Sequence, residues 1–246
     1  MPLLKHPEIV EVWERAEQGH ANAYRCGADD GNSYYVKSKG ATWRGLACEW
    51  VAARLALELK LPIAPFAQVS LDEDFARFLQ REGNRHLVAG LAFGSRVAPH
   101  TREFEPALLS KCSPEFRRDL VAFDWWMHNA DRTLGDYSGN PNLLWDTERA
   151  LPVVIDHNMA FDLNFEADKF LETHIFQADL AVLKADLVMR AEYEQRFSGL
   201  VPLLTDIWAE LPQNWLVTED GDVRFLQSEF FSVLNRVNQP HFWDAV

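Results

Sequence analysis

The sequence predicts an α+β protein in two parts, a small strand-rich lobe over residues 1–98 and a larger helical lobe over residues 99–246. Three features carry this. Two short apolar runs flank "GADDGN" and read as a hairpin, because Gly, Asp and Asn supply the backbone of tight turns. "NLLW" and "LPVVI" repeat the pattern around "DTERA". Beyond Asp168 apolar residues recur at helical spacing almost to the end.

In chain order, "NAYRC" and "SYYVK" are the strands of the first hairpin. "RGLACEWVAARLALELK" follows as a helix that Leu61-Pro62 ends, since the residue before proline is driven out of the helical region. "APFAQVSL" and "HLVAGLAFGSRV" are two further strands, with an acidic looped or helical insertion between them. The character changes between residues 97 and 105. "SPEFRRDLVAFDWWMHN" is a helix with Ser113 at its N-cap and Pro114 at the first helical position, where a missing N–H costs nothing. Trp125 and Trp126 occupy adjacent helix positions, so at least one belongs to the core. After the second hairpin, "QADLAVLKADLVMRAEYEQRF", "LVPLLTDIWAEL" and "RFLQSEFFSVLNRV" are the closing helices.

Composition excludes several function classes. With 48% hydrophobic residues and nine Trp in 246 positions, the chain can bury a real core. A net charge of −13 disfavours a nucleic-acid backbone or an anionic membrane as partner, because both demand a basic surface. No apolar run approaches a membrane span, and the N-terminus lacks the basic, apolar and small-residue order of a signal peptide, so a cytoplasmic protein is expected. Cys26, Cys48 and Cys112 are scattered and odd in number, which fits neither a disulfide framework nor a thiolate zinc site.

The polar residues around the hairpins point to chemistry. An antiparallel hairpin returns the chain to its start, so residues entering it lie beside residues leaving it. Asn140 and Asn142 enter the second hairpin and Asp156 leaves it, while Asp131 follows a helix aimed at the same place. Carboxylate and amide oxygens together suit a hard cation such as Mg2+, which also takes phosphate oxygens. Taken singly, each of these residues is also ordinary turn chemistry.

At the first hairpin, Gly19, His20, Ala21 and Asn22 lie beside Lys37, whose stem runs along a sheet while its ammonium reaches outward. On a helical wheel Arg44, Arg54 and Glu58 fall about 140° to 180° from Glu49, while Ala52, Ala53 and Ala56 share its side. Glu49 therefore points inward and needs a partner, for which Lys37 is the candidate. A Lys–Glu pair beside a Gly-containing loop is what a nucleoside triphosphate site uses to orient phosphates.

"GHANAYR" with "YYVK", "CEWVAARLALELKLPIAP", "HNADRT…NPNLLW" and "VVIDHNMAFD" together resemble the HipA-like kinases. These are a branch of the protein-kinase-like and phosphatidylinositol-kinase-like superfamily that includes bacterial toxin kinases. The resemblance implies a two-lobed protein-kinase-like fold, ATP and Mg2+ as cofactors, and transfer to a hydroxyl, first of all Ser or Thr of a protein substrate. It implies Lys37 as the phosphate-contacting lysine paired with Glu49, Asp131 as the catalytic aspartate, and Asn140 or Asn142 with Asp156 as metal ligands. The "HLVAGLAFGSRV" strand becomes the adenine hinge, and Arg132 a phosphate contact or a brace for the catalytic loop, with a salt bridge to one of the many carboxylates as an equal alternative. "LGDYSG" lengthens the interval between catalytic Asp and metal-binding Asn relative to the family, which keeps both Asn open. The chain is short for the toxin-type enzymes, so an antitoxin-like partner does not carry over.

Two rival readings compete. One is a catalytically silent nucleotide- or partner-binding module of the same fold, which the lengthened loop favours. The other is a metal-dependent phosphoesterase built on His128, Asp131, Asp156 and His157, since imidazole suits transition metals. That reading leaves Lys37 and Glu49 without a task.

Overall fold

The computed structural model describes residues 6–16, 22–134 and 139–244. Its contacts divide the chain into two compact units, one of Met1–Trp50, Ala64–Pro99 and Leu211–Arg224, the other of Val51–Ile63, His100–Glu210 and Phe225–Val246. No helix among the described residues is long and apolar enough to cross a membrane.

The first unit is built on a sheet of β1 (Ile9–Arg15), β2 (Tyr24–Ala28), β3 (Ser33–Lys37), β4 (Phe66–Leu71) and β5 (Gly90–Arg96), ordered β1-β2-β3-β5-β4 with every neighbour antiparallel. β2 and β3 are the first hairpin, closed by the Asp-Asp-Gly turn in which Gly31 takes a positive φ of 77°. β1 was not read as a strand. Its "IVEVWER" buries only Ile9 fully, so the alternation that marks a half-buried strand is weak there. The acidic insertion is a helix, α2 (Glu73–Arg81), which follows α1 (Trp43–Glu58). Asp72 starts it by accepting the backbone N–H of Asp74 and Phe75 at 2.8 and 3.0 Å. Ile9, Tyr24, Val36, Val69, Leu79 and Ala92 pack together as the core. The segment 211–224 joins this unit, with Trp215 donating its indole N–H to Leu91 O at 2.8 Å.

In the second unit β6 (Thr101–Glu103), β7 (Leu143–Asp146) and β8 (Leu151–Val154) form a separate antiparallel sheet. β7 and β8 are the second hairpin; three-residue β6 was too short to announce itself. α3 (Pro114–Trp126) begins where Ser113 Oγ accepts the Phe116 N–H at 3.1 Å. Both Trp125 and Trp126 are fully buried, donating to Phe242 O and Leu234 O at 2.9 and 2.8 Å. After α4 (Ala167–Thr173), the helix expected over 177–197 is two, α5 (Gln177–Ala185) and α6 (Leu187–Ser198). Asp186 divides them, because its carboxylate takes the N–H of Val188 and Met189 and caps a fresh start. "LVPLLTDIWAEL" folds as a 3-10 turn over Val201–Leu203 and a short α7 (Leu204–Ala209), with Pro202 near the start of the turn. The closing helix is Gln227–Asn235.

Candidate functional site

α3 ends at a buried, aromatic-rich seam, and the polar loop beginning at His128 follows it. Asp131 is half-buried, and its Oδ2 accepts hydrogen bonds from the side-chain amides of Asn140 at 3.1 Å and Asn142 at 3.0 Å. The loop is clasped at its two ends. Thr133 N–H donates to Asn140 O at 2.9 Å and Asn140 N–H to Thr133 Oγ1 at 3.3 Å. The β7–β8 register continues past the strands, since Ile155 N–H donates to Asn142 O at 3.1 Å. Asn142 thereby faces the residue before Asp156. Asn142 and Asp156 hold φ of 47° and 58°, a left-handed backbone that short polar side chains tolerate and that clusters at functional sites.

A buried ionic network holds this loop from behind. Arg132 is completely buried; its Nε donates to Asp124 Oδ2 at 2.7 Å, and Nη1 reaches the carbonyls of Pro141, Asn142 and Ile155. One guanidinium thus ties both ends of the β7–β8 hairpin to α3. Nη2 lies 3.4 Å from His157 Nε2, which must be the acceptor. Asp124 also receives Asn129 Nδ2 at 2.8 Å and His174 Nε2 at 3.0 Å. His174 Nδ1 accepts the Phe176 N–H at 3.1 Å, so His174 is the neutral tautomer with its proton on Nε2. Burial pushes the Asp124 carboxyl up, but the Arg132 charge and the His174 hydrogen bond outweigh it and hold it well below the ordinary carboxylate range. Burial also depresses His174, against the opposing pull of Asp124.

Asp124 was missed at the sequence level. Its signal was there: a lone carboxylate inside the apolar stretch "LVAFDWW" cannot be buried without a cation, and Arg132 stands eight positions on. Of the three expectations for Arg132, its guanidinium is spent on the salt bridge, to Asp124, and on bracing the loop through three carbonyls.

In the first unit Lys37 and Glu49 form an ion pair, 7% and 2% exposed. Lys37 ends β3 opposite Phe93 of β5, and Glu49 lies on the inward face of α1. Gly19, His20 and Ala21 lie outside the described residues. Asn22 has a φ of 48°, accepts from Arg15 Nη2, and donates to Gly40 O at 3.2 Å.

Amide and carboxylate oxygens are the donor types a hard divalent cation prefers. The amide nitrogens of Asn140 and Asn142 are engaged with Asp131, which leaves their oxygens for a metal, and Asp156 follows Ile155, the backbone partner of Asn142. A histidine-based transition-metal set is not assembled. His128 stacks on Phe165 at 4.2 Å with Nδ1 3.0 Å from Asp162 O, while His157 is buried against Arg132 and Phe123. Among the described residues no group of three or more His, Cys, Asp or Glu side chains could hold a metal ion.

A family model described as HipA-like kinase matches residues 9–246. Among solved structures, a Helicobacter pylori proinflammatory kinase, CtkA, aligns over 93% of this chain and 92% of its own, with 10% identity and a TM-score of 0.46. The FAT and kinase domain of CtTel1 aligns over 94% of this chain and 21% of its own, with 13% identity and a TM-score of 0.36. No curated protein matches.

Proposed function

Because this chain belongs to the HipA-like kinase family, we propose that it is an ATP- and Mg2+-dependent phosphotransferase that phosphorylates a Ser or Thr hydroxyl of a protein. The observation that carries this reading is Asp131 held by two amides, one of them that of Asn142, whose backbone pairs with Ile155 beside Asp156. The acceptor oxygen bonds to the γ-phosphorus as the bond from phosphorus to the β,γ-bridging oxygen breaks. ADP leaves, and Asp131 takes the hydroxyl proton.

Asn142 and Asp156 would hold Mg2+, which supplies charge neutralisation on the phosphate oxygens. We assign Asn142 rather than Asn140 because the hairpin ladder brings Asn142 opposite Ile155, next to Asp156. Asn140 then braces Asp131. Lys37, oriented by Glu49, contacts phosphate, and Asn22 with Gly19, His20 and Ala21 would add nucleotide-binding groups. Residues 1–98 serve as the nucleotide lobe with the "HLVAGLAFGSRV" strand as hinge, and residues 99–246 as the catalytic lobe. Catalysis is then mainly positioning and charge neutralisation in a prearranged site.

The test starts with thermal melts with ATP plus Mg2+, ATP plus EDTA and no ligand. A ligand that binds only the native state raises the melting temperature, so a Mg2+-dependent rise that shrinks in Asp156→Asn is expected. Asp131→Ala should keep the rise and lose transfer by about 10²- to 10⁴-fold. Wild-type transfer rates in Asp131→Ala would remove that residue from the chemistry. Nucleotide binding with no transfer to any hydroxyl would leave a silent module.

A further inference from the structure

The second unit contains an open cavity of about 330 Å³ that the phosphotransfer residues leave unused. Ala130 and Thr133, which bracket Asp131 and Arg132, share its lining with Asp162, Glu166, Lys169 and Glu172. A short bonded path joins the cavity to the chemistry. Thr133 Oγ1 accepts the Asn140 N–H, and the Asn140 side chain donates to Asp131 Oδ2. The other lining residues come from the chain that follows Asp156 and from α4. Any group lying there touches both the loop that carries Asp131 and the segment that follows Asp156.

The lining is chemically lopsided. Three carboxylates face one ammonium, and none of the four is ion-paired among the described residues. Unneutralised carboxylates around a concave surface attract a cation, and do so most strongly at low ionic strength. The volume sits at the small end of ligand sites, enough for one or two side chains rather than a folded ligand. Glu166, Lys169 and Glu172 are exposed at the rim, so an extended chain can lie across it.

Resting on the kinase reading above, we propose that this cavity is the acceptor subsite and takes a basic peptide. An Arg or Lys beside the phosphorylated Ser or Thr occupies it, its charge met by Asp162, Glu166 and Glu172 while the hydroxyl is presented to Asp131. The acidic wall also disfavours acidic acceptors by like-charge repulsion.

The test uses the full chain with Mg2+-ATP and three Ser/Thr peptide pools, carrying Arg or Lys, only Ala, or Asp or Glu around the acceptor. Basic peptides are expected to win by about tenfold in kcat/KM over neutral ones, mostly through KM, and to lose that lead as salt rises. In the doubly substituted Glu166→Gln/Glu172→Gln chain, checked for an unchanged melting temperature, the lead should fall to about threefold or less. Equal use of all pools by the wild type, or a full lead kept by the double variant, overturns the assignment. Transfer to a hydroxyl of a soluble aminoglycoside but to no peptide overturns the peptide as occupant. Failure of the kinase reading is separately visible: no Mg2+-dependent ATP binding and no ATP turnover would sink that reading and this one with it.

Discussion

At the scale of single residues, Arg132 decides whether Asp131 has a fixed place to stand. A fully buried guanidinium is tolerable only because Asp124 and three carbonyls meet it. Asp124→Ala should therefore cost about 3–5 kcal/mol, read as a lower urea midpoint, because it strands a buried charge. A cost under about 1 kcal/mol would mean that Arg132 finds other partners. The histidines give a pH dependence. Burial, with Arg236 nearby, holds His128 down to about 4 from 6.5, and His174 is lowered too. Below pH 6.5 the unfolded chain takes up protons that the folded chain refuses, so stability should fall as pH drops from 6.5 towards 4. Asp124 acts oppositely in origin: its lowered pKa contributes stability above its ordinary 3.8, lost only at stronger acid. Melting temperatures of His128→Gln should fall less steeply over the 6.5-to-4 window, and an unchanged slope would clear His128 of that role.

At the scale of elements, close approaches set which residues the sheets accept. Gly94 in β5 has no room for a side chain, since an added Cβ would stand 2.7 Å from Val69 Cγ1 and 3.1 Å from Tyr34 Cδ1. Gly94→Ala should cost about 1–3 kcal/mol by overpacking, measured by denaturant titration, and pairing it with Val69→Ala should recover part of that loss. No recovery would place the strain elsewhere. The β7–β8 hairpin is the element that converts sequence distance into proximity. The hairpin was readable because turn residues separate two β-rich runs, so the return of the chain towards Asn140 and Asn142 was legible in the sequence, while the register that puts Asn142 opposite Ile155 was not. If the ladder sets the metal site, Asn142→Ala should raise the Mg2+ concentration needed for half-maximal transfer. Asn140→Ala should lower kcat at unchanged Mg2+ demand, and identical behaviour of the two variants would refute their separate roles.

For the whole molecule, the family match ties the chain to the HipA-like kinases, and the acceptor is the property the fold leaves to local chemistry. A charge of −13 spread over the surface makes basic partners the favoured ones in general, so the peptide pools need a salt series to separate pocket from surface. Sequence by itself determined the α+β class, the two hairpins, α1 with its stop, α3 with its start, and the inward face of Glu49. Each of these follows from local periodicity, turn residues and caps, which act over a few neighbouring positions. It did not determine β1 and β6, the break at Asp186, or the part played by Asp124. A marginal edge strand, a mid-helix cap and a buried carboxylate are settled by what packs against them, and such partners can lie fifty positions away, as His174 does from Asp124. Tertiary structure alone decided that Arg132 faces inward, because only the assembled core offers a guanidinium a carboxylate and three carbonyls at once.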